Sequence, residues 1–142
     1  MDEKTLRTII EEVVREFSAG AGGTATAVAT APSVVGAAGQ LKISEAGPAE
    51  RGTNPREVVI ALTPGFGGRM VNTITGVPHA DAIRELCAGI EEQGLTYRFI
   101  RVFRTADVGF VAHEAAKLSG SGIGIGIQSR GTTVIHQKDL PP

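Results

Sequence analysis

Apolar residues near the start of the chain recur every three to four positions. Between Lys4 and Phe17 the apolar positions are Leu6, Ile9, Ile10, Val13, Val14 and Phe17. Charged side chains occupy most of the positions between them, which is the pattern of an amphipathic helix. We therefore predict a helix over residues 1–18 that presents one apolar face.

The chain changes character after this helix. Residues 18–39 are rich in Ala, Gly, Thr, Ser and Pro, and they show neither a hydrophobic period nor a charge. Such a composition is typical of a flexible linker. We predict a flexible linker over residues 19–55, which would leave residues 1–18 as a mobile targeting or docking helix for another protein.

From Arg56 onward, strand and helix patterns alternate. Glu57 to Thr63 is a nearly continuous apolar run, as in a strand buried on both faces. Residues 71–77 are either a strand or an irregular connection. The remaining pattern predicts helices over residues 80–93 and 107–118 and strands over residues 96–103, 122–128 and 133–136. This order predicts an α/β domain over residues 56–142, with a Rossmann-like parallel sheet flanked by helices.

The strand predicted over residues 122–128 alternates glycine and isoleucine. Ile123, Ile125 and Ile127 would form one apolar face, whereas glycine leaves the opposite face without side chains. Glycine weakens a strand, so three glycines in register indicate that something approaches the backbone closely. The candidates are a flat ligand and a neighbouring helix.

The turn after this strand carries candidate binding residues. Ligands of parallel α/β sheets bind outside the carboxyl ends of the strands. Asp107 follows the strand over residues 96–103, and Arg130 follows the strand over residues 122–128, so we expect both at one edge of the sheet. Ser129 and Thr132 flank Arg130 and add hydroxyl groups that, with the guanidinium, suit an anion. The alternative is that Thr105 or Asp107 is only a helix N-cap and Arg130 only a solvated charge.

Composition restricts the possible functions. The net charge of -1 gives no electrostatic bias towards nucleic acid or an anionic membrane, and no apolar stretch has the length of a membrane span. A single cysteine, Cys87, excludes an internal disulfide and fits a reducing cytosol; its position indicates a core residue. We predict no metal site, because His79, His113 and His136 lack the spacing of ligands. No set of nucleophile and base is recognisable, so we expect no activity from this chain alone.

Several segments together carry a resemblance to a known family. They are Glu57-Val-Val-Ile60, Gly76-Val-Pro-His79, Gly89-Ile-Glu-Glu-Gln-Gly94, Thr105-Ala-Asp107 and, above all, the block from Leu118 to Gln137. They resemble the medium (β) subunit of adenosylcobalamin-dependent diol and glycerol dehydratases. The N-terminal helix and linker resemble the extension that directs diol dehydratases into a bacterial microcompartment. Members of that family continue past Leu140-Pro-Pro142, where this chain stops.

The resemblance implies a non-catalytic subunit that binds adenosylcobalamin and assembles with a large and a small subunit. The large subunit is a TIM barrel that holds the substrate, and an adenosyl radical converts a 1,2-diol to an aldehyde plus water. Asp107 matches the acidic residue that accepts hydrogen bonds from corrin amides. Arg130 stands where the family usually has a lysine that contacts the nucleotide phosphate. The implied location is the cytoplasm, inside a microcompartment whose shell or cargo binds residues 1–18.

Two other functions stay open at this point. One is the small subunit of a dehydratase-reactivating factor, a chaperone-like protein whose fold resembles the medium subunit. The other is a free phosphate-binding or nucleotide-binding module that uses Asp107 and Arg130. The choice between propane-1,2-diol and glycerol is not encoded here, because the substrate contacts belong to another chain.

Overall fold

The structure is a computed structural model that describes residues 2–19, 27–35 and 39–142, with side chains described for residues 2–11, 27–34 and 39–142. Its elements are α1 (Glu3–Ala19), β1 (Ala27–Val35), β2 (Gln40–Pro48), β3 (Glu57–Leu62), α2 (His79–Glu92), β4 (Thr96–Val102), α3 (Val108–Leu118), β5 (Ile123–Ile127) and β6 (Thr133–Gln137). The helices and strands predicted after Arg56 are confirmed to within one residue at each end. Residues 71–77 form an irregular connection.

The described strands form one sheet in the order β2-β1-β4-β3-β5-β6. Strand β3 pairs in parallel with β4 and β5. The pairs β1–β2, β1–β4 and β5–β6 are antiparallel. The α/β class is therefore confirmed, but the prediction of a Rossmann-like parallel sheet is wrong for the outer strands. A parallel pair needs a crossover of about a dozen residues or more. Only the connections through α2 and α3 supply one, whereas β5 and β6 are joined by a short turn.

The flexible linker predicted over residues 19–55 is wrong for the part described there. Residues 27–35 and 40–48 form the antiparallel pair of β1 and β2, and β1 also pairs with β4. Ala27 is buried in the core against α3. Strand β1 forms because it pairs with a strand that is distant in the sequence. Its small Ala and Thr side chains give no alternation of apolar and polar residues from which a strand could be predicted. In β2, Leu41 and Ile43 do alternate with exposed residues and pack on the core, a signal present in the sequence.

Helix α1 agrees with the amphipathic helix predicted at the N-terminus. The Asp2 carboxylate accepts a hydrogen bond from the Thr5 amide at 2.8 Å and so caps its first turn. Leu6, Ile9 and Ile10 are each about half exposed, which leaves their apolar face uncovered by other described residues. The predicted apolar side chains of Val13, Val14 and Phe17 lie outside the described set.

A helix occupies the glycine face of β5. A β-carbon at Gly124 would overlap the backbone nitrogen of Ala116 in α3, and one at Gly126 would lie 2.7 Å from the nitrogen of Ala112. Of the two candidates for this face, the neighbouring helix is therefore the one present. The opposite face, with Ile125 and Ile127, belongs to the core beneath α2.

Cys87 lies in the core beneath α2, as predicted. Burial raises the pKa of its thiol, and a hydrogen bond with Tyr97 offsets only part of this effect. A buried thiol that stays protonated is a packing residue and not a nucleophile.

Candidate functional site

The candidate residues gather at one edge of the sheet. Because β3, β4 and β5 run in parallel, their carboxyl ends lie together, and we call this the carboxyl edge. It is formed by four segments, residues 63–68, 69–78, 103–107 and 128–132. The antiparallel pairing of Ala27 with Val102 also places the start of β1 there.

A buried histidine directly follows the segment of residues 69–78 and connects it to two of the others. His79 is only 1% exposed, and its ring stacks on Phe66 with centroids 3.9 Å apart. The Gly67 amide donates to Nδ1 at 3.0 Å, so Nε2 carries the ring hydrogen and donates to the Ser129 carbonyl at 2.7 Å. The sequence placed His79 near a helix start; its role in joining the segments depends on the fold.

A buried arginine fixes the segment after β3. Nη1 of Arg101 donates to the carbonyls of Thr63 and Pro64 at 3.0 and 2.8 Å, and Nη2 donates to that of Phe66 at 3.0 Å. Desolvation by burial lowers the pKa of Arg101, and the Glu45 carboxylate, 4.0 Å from Nε, opposes this shift. Sequence reasoning took Arg101 as an ordinary strand residue and missed this function.

Ser129 points into the packed base of the edge. It is 7% exposed, and its hydroxyl lies 3.3 Å from that of Thr63. Its carbonyl accepts the hydrogen bond from His79. The structure therefore assigns the Ser129 side chain a place inside the protein, whereas Arg130 and Thr132 are exposed.

Asp107 is the N-cap of α3. Its Oδ1 accepts hydrogen bonds from the amides of Gly109 and Phe110 at 2.9 and 3.4 Å. Its Oδ2 has no hydrogen bond with a described residue. Gln128 donates to the carbonyl of Ala106 at 3.1 Å and ties this segment to the end of β5. Asp107 and Arg130 thus lie at the same edge, on separate segments, and no ion pair joins them.

Arg130 borders an open pocket of about 400 Å³, whose lining residues are Thr73, Ile74, Thr75, Val77, Ala82, Arg130, Gly131 and Thr132. The lining contains one cation, three hydroxyl groups and no carboxylate. Arg130 forms no ion pair with the described part of the chain. The pattern Thr73-x-Thr75 before Gly76 was available in the sequence, but only the fold brings it beside Arg130.

Backbone contacts hold the two sides of this pocket together. The Ile74 amide donates to the Arg130 carbonyl at 2.9 Å. Gly131 has a φ of 97°, and a β-carbon there would lie 2.9 Å from Cγ2 of Thr73. A glycine is therefore required at position 131, both for its backbone conformation and for the close approach of Thr73.

A comparison with known families bears on this edge. A family model described as dehydratase medium subunit matches residues 63–142, more than half of the chain. The chain belongs to the dehydratase medium subunit family. The match contains all four segments of the carboxyl edge, whereas α1, β1, β2 and β3 precede it. The resemblance to a dehydratase medium subunit is confirmed over residues 63–142, and this medium subunit is a component of a dehydratase complex that includes partner subunits.

The medium subunit exposes large apolar side chains at the carboxyl edge. Val71, Ile74, Phe103 and Phe110 are between 43% and 73% exposed. We call these four residues the apolar rim. The first three lie on segments of this edge and Phe110 lies in the adjoining first turn of α3; large apolar side chains left exposed at one edge favour a surface that a ligand or partner covers.

The described residues contain no group of three or more His, Cys, Asp or Glu placed to hold a metal ion. The fold does bring His113 and His136 together, with ring centroids 5.0 Å apart, although nothing in their spacing predicted it. None of the described helices has the length and apolar composition required to cross a membrane.

Proposed function

We propose that the medium subunit binds adenosylcobalamin at its carboxyl edge, within an adenosylcobalamin-dependent diol dehydratase. The observation that carries this proposal is the exposed Arg130, unpaired among the described residues, beside a pocket without a carboxylate. A guanidinium in such a setting suits a phosphate, which it can bind through two parallel hydrogen bonds. Thr132 adds a hydroxyl on the same side.

Asp107 and the apolar rim suit the rest of the cofactor. Capping holds the Asp107 carboxylate in place through Oδ1 and leaves Oδ2 to accept an amide hydrogen bond. The corrin ring carries amide side chains around a broad, partly apolar surface. Phe103 and Phe110, which flank Asp107 along the chain, offer matching apolar contacts.

The chemistry belongs to the bound cofactor and the large subunit. When bound, adenosylcobalamin would supply the radical chemistry that converts a 1,2-diol to an aldehyde and water. The residues of this chain orient the cofactor and exclude water from the surface that they cover. Cys87 and His79 are buried in structural roles, so neither is offered as a catalytic group.

Arg130→Glu is the direct test of cofactor binding. We expect the variant to lower cobalamin affinity roughly ten- to a hundredfold, because it replaces a charge-assisted hydrogen bond by repulsion. Affinity is measured by equilibrium dialysis on the complex assembled with large and small subunits. Lys42→Glu is the matched control, since it makes the same charge change on the outermost strand β2 and should leave affinity unchanged.

The alternative functions predict other results, in this and in two further experiments. Unchanged cobalamin affinity in Arg130→Glu would contradict the proposal. Stabilisation of the wild-type chain by free nucleotides, with none by corrinoids, would favour a nucleotide-binding module. Co-purification with an ATPase in place of a barrel subunit would favour a reactivating factor.

We also propose that α1 directs the complex into a bacterial microcompartment by binding shell or cargo through Leu6, Ile9 and Ile10. The support is the exposure of these three side chains on one face. Residues 1–18 fused to a fluorescent reporter should concentrate it in microcompartments. Ile10→Glu should disperse the reporter, whereas Thr8→Glu, on the polar face, should not. A diffuse reporter with the wild-type helix would refute this location.

A further inference from the structure

We propose, on the basis of the function given above, that the loop from Thr73 to Val77 forms the second wall of a phosphate subsite. In this subsite the Thr75 hydroxyl donates to the phosphate that Arg130 binds. The ligand class is a phosphate ester attached to an organic group. Neither the sequence pattern nor the family match assigned a function to this loop.

The loop is closed on itself and fixed to the turn that carries Arg130. The Thr73 amide donates to the Val77 carbonyl at 2.8 Å, and the Gly76 amide donates to the Thr73 carbonyl at 3.0 Å. Gly76 adopts a φ of 81°, which favours glycine at this turn. The hydrogen bond from the Ile74 amide to the Arg130 carbonyl joins this loop to the turn that carries Arg130. The subsite is therefore preorganised, which lowers the ordering cost of binding.

A chain of hydrogen bonds leads through the loop into the pocket. The Val77 amide donates to the Thr73 hydroxyl at 3.1 Å, and the Thr73 and Thr75 hydroxyls lie 3.0 Å apart. Either hydroxyl can be the donor in that pair. When Thr73 donates, the hydrogen of Thr75 is free for a ligand. An anion in the pocket selects this orientation, because it attracts the free hydrogen of Thr75. The hydrogen bonds from Val77 through Thr73 to Thr75 then all point in one direction and strengthen one another.

Charges around the pocket favour an anion over a cation. Arg130 is the charged residue in the lining, and Thr132 contributes a further hydroxyl. The first turn of α2, which borders the pocket at Ala82, contains Asp81. Its carboxylate is paired with Arg84 at 3.2 Å, which reduces its repulsion of a bound phosphate.

The exposed Ile74 explains the preference for an ester. Its side chain lines the same pocket and is 73% exposed. Inorganic phosphate would leave this apolar surface in water, whereas the organic part of a phosphate ester would cover it. Ile74 is therefore the residue that we assign to selectivity, and Thr75 the residue that we assign to phosphate binding.

Thr75→Val tests this assignment in the complex of large, medium and small subunits. Cobalamin and cobinamide are compared as ligands, because cobinamide lacks the nucleotide and its phosphate. We expect Thr75→Val to weaken cobalamin binding roughly tenfold, as for a lost hydrogen bond to a charged group, and to leave cobinamide binding unchanged. Thr75→Ser keeps the hydroxyl and should retain affinity. Thr53→Val, at an exposed position outside the pocket, is the control.

Other outcomes would overturn the inference. An equal loss for cobalamin and cobinamide would show that the valine only distorts the loop, and no loss for either would show that Thr75 does not bind phosphate. A second arm compares adenosine monophosphate with adenosine. In one combination, Arg130→Glu leaves cobalamin affinity unchanged while the protein still binds adenosine monophosphate more tightly than adenosine in a Thr75-dependent way. That combination would support the phosphate subsite and contradict cobalamin as its ligand. If Thr75→Val lowered the affinity for neither cobalamin nor adenosine monophosphate, the subsite itself would be rejected.

Discussion

Gly124→Ala is expected to destabilise the medium subunit strongly. The added β-carbon would overlap the backbone of Ala115 and Ala116, which cannot rotate away as a flexible side chain would. Relief requires that α3 separate from β5, and α3 also packs on the core of Val59 and Ile100. We expect a loss of about 3 kcal/mol or more in the free energy of unfolding, measured by urea denaturation of the full chain.

The control for this experiment is another glycine of the same chain. Gly89 lies in α2, and a β-carbon there would meet no atom within 4 Å. Gly89→Ala should therefore stabilise the protein by about 0.5–1 kcal/mol, since alanine is the better helix former. A Gly124→Ala protein as stable as the wild type would show that α3 does not rest on the glycine face.

Arg101→Met is expected to have the second largest effect. Methionine can fill part of the space, but it removes the guanidinium donors of the Thr63, Pro64 and Phe66 carbonyls, of which Thr63 keeps the Phe66 amide as a donor. Unpaired buried polar groups cost about 1–3 kcal/mol each, and their effects do not simply add. We expect a loss of about 3 kcal/mol or more in the same denaturation experiment.

Arg56→Met provides the matched comparison for Arg101. Arg56 also donates two hydrogen bonds to a backbone carbonyl, that of Gly94, but it does so at the exposed end of α2. Water replaces these bonds after substitution, so the loss should stay below about 1 kcal/mol. Equal losses in the two variants would mean that burial does not make the Arg101 contacts important.

The elements after Arg56 could be predicted because their signals are local. The apolar run of β3 and the three-to-four spacing in α2 and α3 are contained in short stretches of chain, and burial within each element is enough to form the pattern. The hairpin of β1 and β2 was missed for the opposite reason. Ala27 and Thr30 become strand residues by pairing with β4, far along the chain, and no local period marks that pairing.

The candidate site shows the same division. Asp107 and Arg130 could be placed at one edge, because each follows a strand and the strands are parallel to β3. The inward orientation of Ser129 could not be predicted from the sequence, since it depends on contacts with the hydroxyl of Thr63 and with His79. Thr75 went unnoticed because its contact with the pocket comes from a loop that the sequence leaves undefined.

The amino-acid sequence by itself determined the order of elements after Arg56, the amphipathic helix at the start, and membership of the dehydratase medium subunit family. These properties depend on residue types at short spacing. Tertiary structure alone decided the direction of the outer strands, the partner of the glycine face, and the pairing of the Thr73–Val77 loop with Arg130. These three features depend on contacts between segments that are distant in the sequence. Close packing and hydrogen-bond geometry allow those segments only one arrangement.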